Sequence, residues 1–253
     1  MHILAFLEQI GRFAYFAIRV TLFLPLALIR PKTSIQLLYP HLLGALPLAL
    51  VAGGAMGIVV WMHLRTALLQ VAGPGALQYL PQALSLAVVL EFAPLGAGLI
   101  VAGRSGASLA AELGSMNLTE QVDALTALGQ NPLSYLAAPR VLACVLALPL
   151  LTIAIDYSAV VSAFAAESIG GSMTWLLFSR ECLRVLELGQ SAAAVLKTAF
   201  FGWAIGIAGC YFGLEAQGGT EGVGRAATRG VVTSVFLVLI LDVVLVRISQ
   251  ILF

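Results

Sequence analysis

Residues 76–103 read ALQYLPQALSLAVVLEFAPLGAGLIVAG, an apolar run whose one charged residue is Glu91. About 20 apolar residues are enough to cross a bilayer, so this run predicts a transmembrane helix. A charge near the centre of the bilayer costs roughly 2.5–3.5 kcal/mol on insertion scales. We therefore expect Glu91 to face a ligand or a partner side chain within a helix bundle.

The rest of the chain shares this composition. Of its 253 residues, 60% are hydrophobic and 10% are charged, whereas soluble domains carry about 25% charged residues. The apolar runs are continuous, which favours helices, because membrane β-barrels alternate apolar and polar residues. The sequence therefore predicts one polytopic all-α membrane domain over residues 1–253, and its net charge of +1 gives no indication of a nucleic-acid partner. The cysteines and histidines are scattered and predict no metal site: Cys144, Cys182, Cys210, His2, His41 and His63.

The N-terminal residues 1–32 show an amphipathic pattern. Glu8, Arg12 and Arg19 lie on one helical face, and aromatic and aliphatic residues occupy much of the remainder. This pattern predicts a helix that lies in the membrane interface. The alternative is a tilted transmembrane helix whose arginines reach the headgroups. Residues 30–32 then predict a basic turn on the cytoplasmic side.

Five apolar segments follow within residues 41–252, and each predicts a transmembrane helix. They are 41–62, 77–103, 140–166, 191–214 and 230–252. A cytoplasmic N-terminus and an outward-facing C-terminus place eight basic residues at the inner side and five at the outer side, as the positive-inside rule favours. The inner set is Arg12, Arg19, Arg30, Lys32, Arg104, Arg140, Arg225 and Arg229. The outer set is Arg65, Arg180, Arg184, Lys197 and Arg247. The intervening segments 63–76, 104–139, 167–190 and 215–229 are predicted as loops.

The loop 104–139 between the second and third spans is the longest polar stretch. Asn117 and Glu120 have the spacing of a capping box, which predicts a short helix from Leu118. Gly129 is placed to end this helix. A helix of fewer than about 12 residues is marginal alone, so we expect it to lie on headgroups or on a partner protein.

A series of short motifs runs from about residue 40 to the end of the chain. They are Glu91-Phe-Ala-Pro94, Ala102-Gly-Arg-Ser-Gly-Ala-Ser108, Ala111-Glu-Leu-Gly114, Thr119-Glu-Gln-Val-Asp-Ala-Leu125, Gly129-Gln-Asn-Pro132, Pro139-Arg140, Gly222-Val-Gly-Arg-Ala-Ala-Thr-Arg229 and Leu241-Asp242. In this order they resemble the MlaE (YrbE) permease family.

The resemblance implies the permease subunit of an ABC-type phospholipid transporter in a bacterial inner membrane. It implies a homodimer in which each protomer has an N-terminal interfacial helix and five membrane helices. It further implies that the helix at Thr119–Leu128 is a coupling helix that docks on a separate ATPase, while MCE-domain proteins bind on the periplasmic side. The chain contains no GxxxxGK[ST] motif, so ATP and the ATPase activity are expected in the partner.

Two groups of residues follow from the resemblance as candidate sites. The coupling group is Glu120, Asp123, Leu125, Arg104 and Arg140. The lipid-cavity group is Leu90, Glu91 and Pro94.

Many family members have Arg-Glu where this chain has Leu90-Glu91, so the usual cationic neighbour of Glu91 is missing. Glu91 then has two interpretations: it contacts a lipid headgroup or gates the path, or it hydrogen-bonds to another helix. Among the other intramembrane charges, Asp156 and Lys197 fall at similar depth and are predicted to form an ion pair. Asp242 is interpreted as structural.

Other functional classes are less well supported. Gly103-Arg-Ser-Gly106 matches the string of rhomboid-type proteases, but such a serine typically uses a histidine on a later helix as its base. No histidine follows His63, so an intramembrane hydrolase is not expected. An ATP-independent secondary transporter or channel is the main alternative to the ABC permease, and a structural scaffold for outer-face proteins is a third.

Overall fold

The computed structural model describes residues 2–29, 31–171 and 173–252, and every regular element in these ranges is helical. The α-helices are α1 (His2–Leu28), α2 (Pro31–Ala72), α3 (Leu80–Ala87), α4 (Ala93–Val101), α5 (Ala107–Leu118), α6 (Gln121–Ala127), α7 (Ala138–Gly170), α8 (Trp175–Val185), α9 (Leu188–Leu214) and α10 (Gly219–Leu252). A 3₁₀ turn forms at Pro74–Tyr79, and wide π turns form at Val88–Phe92, Ala102–Gly106 and Leu133–Ala137. The all-α prediction is confirmed.

Six helical stretches within the described ranges are long and apolar enough to cross a membrane, which makes the chain a multi-pass membrane protein. They are Leu7–Leu28, Ser34–Ala72, Pro74–Leu118, Leu133–Gly170, Leu188–Leu214 and Gly219–Ile251. The last five cover the five predicted spans, except that the last stretch ends one residue before the predicted 252. The first is α1, whose length and composition fit both the interfacial helix and the tilted span. The predicted basic turn includes Arg30, which lies outside the described residues.

All four segments predicted as loops are largely helical. In 63–76, helix α2 continues to Ala72, and in 104–139, helix α5 continues to Leu118. Segment 167–190 contains α8, and 215–229 contains the start of α10 at Gly219. Polar composition alone suggested loops there. Helix α8 nevertheless buries Phe178 and Cys182, four residues apart, while its opposite side is exposed. Such one-sided burial stabilises an amphipathic helix despite many polar residues.

The described chain divides into two compact units, each of which is described by itself. Unit 1 comprises Met1–Gly44, Val101–Leu148 and Ala199–Leu241. Unit 2 comprises Ala45–Ile100, Pro149–Thr198 and Asp242–Phe253.

The core of unit 1 forms where α1, α5, α7 and α9 pack together. Four glycines at close spacing on α9 allow the approach of neighbouring backbones. A Cβ at Gly206 would lie 2.8 Å from Val141 Cα, and one at Gly213 would lie 2.8 Å from Leu113 Cβ. Small residues of this kind permit tight helix packing in membranes, so the glycine stripe serves contacts within this chain.

Unit 2 is held by a similar seam between α2 and α7. A Cβ at Gly57 would collide with the carbonyl oxygen of Ala159, and the hydroxyl of Ser162 donates a 2.8 Å hydrogen bond to the carbonyl of Gly54. Near the ends of these helices, the indole Nε1 of Trp61 donates a 2.8 Å hydrogen bond to buried Glu167. These contacts hold α2 and α7 close together within unit 2.

Candidate functional site

An intramembrane ion cluster lies in unit 2, where α9, α10 and the π turn before α4 contribute one charged side chain each. Lys197 Nζ lies 3.0 Å from Glu91 Oε2 and 3.1 Å from Asp242 Oδ1. The side chain of Lys197 is 7% exposed and that of Asp242 is 16% exposed, whereas that of Glu91 is 45% exposed. One buried cation therefore contacts two carboxylates, of which Glu91 is the more exposed.

The predicted pair of Asp156 and Lys197 is wrong. Lys197 is occupied by Glu91 and Asp242, and the buried Oδ1 of Asp156 has no hydrogen-bond partner in the described part of the chain. The prediction matched the two residues by depth along their helices. Depth does not fix the direction in which a side chain leaves its helix, and that direction decides which partners meet.

The residue before Glu91 is Leu90, which carries no charge, so the positive charge beside Glu91 comes from Lys197. It comes from α9, 106 residues away from Glu91 in the sequence. Asp242, interpreted as structural, is the second carboxylate of the same cluster. Because the three residues are far apart along the chain, no local motif connects them, and their intramembrane charge was the one sequence signal that could have grouped them.

The local backbone at Glu91 is a π turn, Val88–Phe92. The amide of Ala93 bonds to the carbonyl of Val88, five residues back, so the turn holds an additional residue. Such turns are frequent at functional sites of helices. Of the other predicted cavity residues, Leu90 is half-buried, whereas Pro94 is buried in the helix packing and does not offer an open lining surface.

The chemistry open to this cluster is non-covalent. A carboxylate that is half exposed beside a buried ammonium group can accept hydrogen bonds from a polar ligand on its open side. Asp242 keeps Lys197 paired if Glu91 changes partner. The arrangement suits reversible contact with a polar group within an apolar setting.

A second candidate site is the short helix α6 in unit 1. It begins at Gln121, not at the predicted Leu118, because α5 continues through Asn117. The side chain of Asn117 donates a 3.0 Å hydrogen bond to the carbonyl of Ala216 instead of capping a helix. The turn between α5 and α6 is made by Glu120, which has a left-handed φ of 59°. The predicted capping box is therefore wrong.

The predicted end of this helix at Gly129 is confirmed. Gly129 has a φ of 72°, its amide bonds to the carbonyl of Thr126, and the amide of Gln130 bonds to the carbonyl of Leu125. This pair of bonds is the Schellman motif, which satisfies the last carbonyls of a helix.

The predicted coupling residues on α6 divide between two faces. Glu120 and Asp123 are exposed. Leu125 is half-buried and, with Val122, packs against the core of unit 1, so it anchors the helix and does not present an outer surface. Leu128 is 76% exposed and was not among the predicted coupling residues.

The two predicted flanking arginines have different positions. Arg140 is buried; it contacts Glu112 at 2.5 Å and the carbonyl of Leu136 at 2.8 Å. It therefore braces α7 against α5 and is not open to a partner protein. Arg104 is exposed, and its guanidinium lies directly over Gly44, where any Cβ would collide with it.

The structure places a histidine beside Ser105, which sequence order did not suggest. His41 Nδ1 lies 3.0 Å from Ser105 Oγ, and both residues are buried. Because a substrate cannot reach a buried hydroxyl of this kind, the pair acts as a packing contact that holds the π turn Ala102–Gly106.

Comparison with known proteins identifies the family. The family described as Permease MlaE matches residues 35–248. The chain belongs to the MlaE permease family. It is 32% identical over 244 residues to a probable ABC transporter permease protein of Rickettsia typhi, covering 94% of this chain and 91% of the relative.

Two further relatives extend this similarity. A probable ABC transporter permease protein of Synechocystis is 34% identical over 196 residues, covering 78% of this chain and 73% of the relative. Protein TRIGALACTOSYLDIACYLGLYCEROL 1, chloroplastic, of Arabidopsis thaliana is 38% identical over 164 residues, covering 64% of this chain and 46% of the relative. The MlaE-family assignment makes this protein an ABC transporter permease and not itself an ATPase.

Proposed function

We propose that this MlaE-family permease moves phospholipid as the membrane-spanning part of an ABC transporter, with energy from a separate ATPase that docks on α6. The observation that carries the proposal is the geometry of α6. Its inner face is anchored to the core of unit 1, while Glu120, Asp123 and Leu128 point outward. A short helix held in this way can receive force from a partner and pass it to the helices beneath.

The path for such a force runs through α5 and α7. Helix α6 follows α5 after a two-residue turn at Glu120, and Arg140 ties α5 to α7 through Glu112. Displacement of α6 would therefore act on both helices together. A partner shifts the conformational equilibrium only by its different affinity for the two states, so the exposed face of α6 must change its fit to the ATPase during the cycle.

The lipid part of the proposal is supported by the ion cluster and by one relative. The Arabidopsis relative carries the name of a galactolipid. In this chain Glu91 offers a half-exposed carboxylate among apolar neighbours such as Leu90 and Phe92. Acyl chains gain roughly 0.8 kcal/mol per buried CH₂ group, while Glu91 would contact the polar end of the lipid.

The assembly we propose is a homodimer in a bacterial inner membrane, with the ATPase on the cytoplasmic side and an MCE-domain protein on the periplasmic side. The N-terminus is then cytoplasmic and the C-terminus periplasmic, as the distribution of basic residues favours. In this orientation α6 faces the cytoplasm, where ATP is available.

The test reverses charge on the outer face of α6. The double variant Glu120→Lys/Asp123→Lys should lose co-purification of the ATPase and lipid-stimulated ATP hydrolysis, while Glu187→Lys, an exposed carboxylate outside α6, should retain both. Retention of both properties by the α6 variant would overturn the docking proposal. Lipids retained by the purified complex, measured by mass spectrometry for wild type and Glu91→Ala, test the lipid contact separately.

One observation favours the alternative of an ATP-independent transporter. Intramembrane charge clusters such as Glu91, Lys197 and Asp242 are common in ion-coupled carriers. Proteoliposomes with the permease but without the ATPase distinguish the two functions. Lipid movement that follows an ion gradient and needs no ATP would support the secondary transporter and contradict the ABC proposal.

A further inference from the structure

A groove of about 730 Å³ lies in unit 1 between α1, the segment from α6 to Leu133, and the end of α9. We call it the α1–α6 groove. Its walls combine two arginines and one carboxylate with apolar and polar side chains, among them Arg12, Arg19, Glu215, Phe16, Leu133 and Gln130. Its lining includes none of the three residues of the ion cluster.

The two arginines stand two helical turns apart on the same face of α1. Arg12 pairs with Glu8 at 2.6 Å, and both side chains are about two-thirds exposed, so this pair is weak. Arg19 is half-buried and has no carboxylate partner among the described residues. Its guanidinium lies 5.6 Å from the centre of the Tyr15 ring, which leaves its donors free for an anion in the groove.

The neighbouring face of α1 is apolar and uncovered. Tyr15, Ile18 and Leu22 form one ridge at helical spacing, and they are 63%, 61% and 72% exposed. In a membrane protein such a ridge lies against acyl chains. Tyr15 belongs both to this ridge and to the lining of the groove, so the cationic wall adjoins the lipid-facing surface directly.

We propose that the α1–α6 groove binds one anionic phospholipid from the surrounding monolayer. The phosphate accepts hydrogen bonds from the guanidinium of Arg19, with Arg12 as a second cation, and the acyl chains lie along the ridge of Tyr15, Ile18 and Leu22. Guanidinium groups bind phosphate oxygens through two parallel hydrogen bonds. An acidic segment of a partner protein would satisfy the arginines but would leave the apolar ridge uncovered, so the lipid fits more of the observed surface.

This proposal goes beyond lipid transport and does not depend on it. Thr126 and Gly129 line the same groove, so an occupied groove contacts the end of α6. Bound lipid would hold α6 in place. The fraction of anionic lipid in the membrane would then influence how firmly α6 is held in position for a partner protein.

The experiment measures lipid binding to the purified, delipidated protein by native mass spectrometry. Phosphatidylglycerol, phosphatidylcholine and soluble glycerol phosphate are titrated separately against wild type, Arg19→Gln, Arg19→Lys, Arg12→Gln and Arg229→Gln. Arg229 is an exposed arginine of unit 1 that does not line the groove, so Arg229→Gln is the matched charge control. Arg12→Gln changes an exposed residue and keeps the test valid if Arg19→Gln fails to fold.

We expect one phosphatidylglycerol per chain to bind more tightly than phosphatidylcholine. Loss of a charged hydrogen-bond donor should weaken phosphatidylglycerol binding about tenfold in Arg19→Gln, with a smaller loss in Arg12→Gln. Arg19→Lys should retain part of the affinity because it keeps the charge but loses the planar donor pair. Arg229→Gln should bind as wild type, and glycerol phosphate should not compete.

Four outcomes would overturn the proposal. Equal affinity for the two lipids would remove the role of charge. Equal losses in Arg229→Gln and Arg19→Gln would make the effect one of total charge. Weaker ATPase association in Arg19→Gln with unchanged phosphatidylglycerol binding would show that the groove receives a protein segment. Tight binding of glycerol phosphate alone would show that the groove is a site for a soluble anion.

Discussion

Lys197 and Glu91 lie 106 residues apart in the sequence, yet their charged atoms are 3.0 Å apart. Lys197 also contacts Asp242, so three helical segments of unit 2 meet at one buried ammonium group. Removing the cation should therefore cost more than removing either carboxylate.

Lys197→Met is expected to destabilise the protein. Breaking a buried ion pair on one side costs about 3–5 kcal/mol of unfolding free energy. Because Glu91 is half exposed, we expect a loss at the lower end, about 3 kcal/mol. The triple variant Lys197→Met/Glu91→Gln/Asp242→Asn should recover most of it, because no buried charge remains. Thermal unfolding in detergent measures the effect, and Arg247→Met, a change at an exposed arginine of α10, is the control. An unchanged unfolding temperature in Lys197→Met would contradict the cluster.

Two glycines of α2, three residues apart, should respond in opposite ways to the same substitution. A Cβ at Gly57 collides with the carbonyl oxygen of Ala159, whereas at Gly54 the nearest atom is Ser162 Cβ at 3.9 Å. Overpacking of this kind costs about 1–3 kcal/mol, so Gly57→Ala should lower the unfolding temperature. Gly54→Ala should leave it unchanged or raise it, because alanine is the better helix former by about 1 kcal/mol. Equal effects at both positions would argue against the close seam between α2 and α7.

Gly129→Ala should loosen the end of α6 without a steric clash. The residue has a φ of 72° and open space around it, so the cost is backbone strain of about 1 kcal/mol. Hydrogen exchange of the α6 amides should become faster. Gly224→Ala, at a helical glycine with equally open space, should not change that rate. Unchanged exchange in Gly129→Ala would show that the left-handed residue does not hold the helix.

The ion pair between Arg140 and Glu112 should respond asymmetrically to mutation. The side chain of Arg140 is 6% exposed and that of Glu112 is 46% exposed. Glu112→Ala leaves a buried cation without its partner, at a cost of about 3 kcal/mol. Arg140→Met keeps the buried volume and allows Glu112 to hydrate, so we expect a loss of about 1 kcal/mol. Unfolding free energies measured side by side give the order, and the reverse order would contradict the assigned burial.

Cys182 on α8 should react slowly with thiol reagents. Its side chain is buried, and burial raises the pKa of its thiol above the ordinary value, which lowers the thiolate fraction at a given pH. Alkylation of the native protein should therefore be much slower at Cys182 than at a thiol introduced by Leu183→Cys, since Leu183 is 71% exposed. Both thiols should react at similar rates after denaturation. Rapid native labelling of Cys182 would show that α8 does not pack as described.

The sequence was sufficient for the helical membrane class because continuous apolar runs have few other physical solutions. It was also sufficient to predict that α6 ends at Gly129, because a glycine followed closely by a proline, Pro132, is a local signal for the end of a helix. It was not sufficient for Glu120, whose left-handed φ of 59° is unusual for a non-glycine residue and reverses the chain just where a capping box was predicted.

Partners of buried charges were harder to predict than helices. Asp156 and Lys197 could be matched by depth, but the pairing of Lys197 with Glu91 and Asp242 depends on how α9 and α10 are rotated about their axes. The sequence of α8 contained a helix signal that its polar composition obscured: Phe178 and Cys182 are four residues apart, the spacing of one buried helical face.

Each of the π turns at Val88–Phe92 and Ala102–Gly106 shifts the angular positions of the side chains that directly follow it. Composition does not reveal this shift. Each holds a surplus residue, and one residue advances an α-helix by about 100°. The number of residues in this span is therefore constrained as well as their chemical type. Loss of a single residue at the first turn would rotate the carboxylate of Glu91 away from Lys197 and leave the hydropathy of the segment almost unchanged.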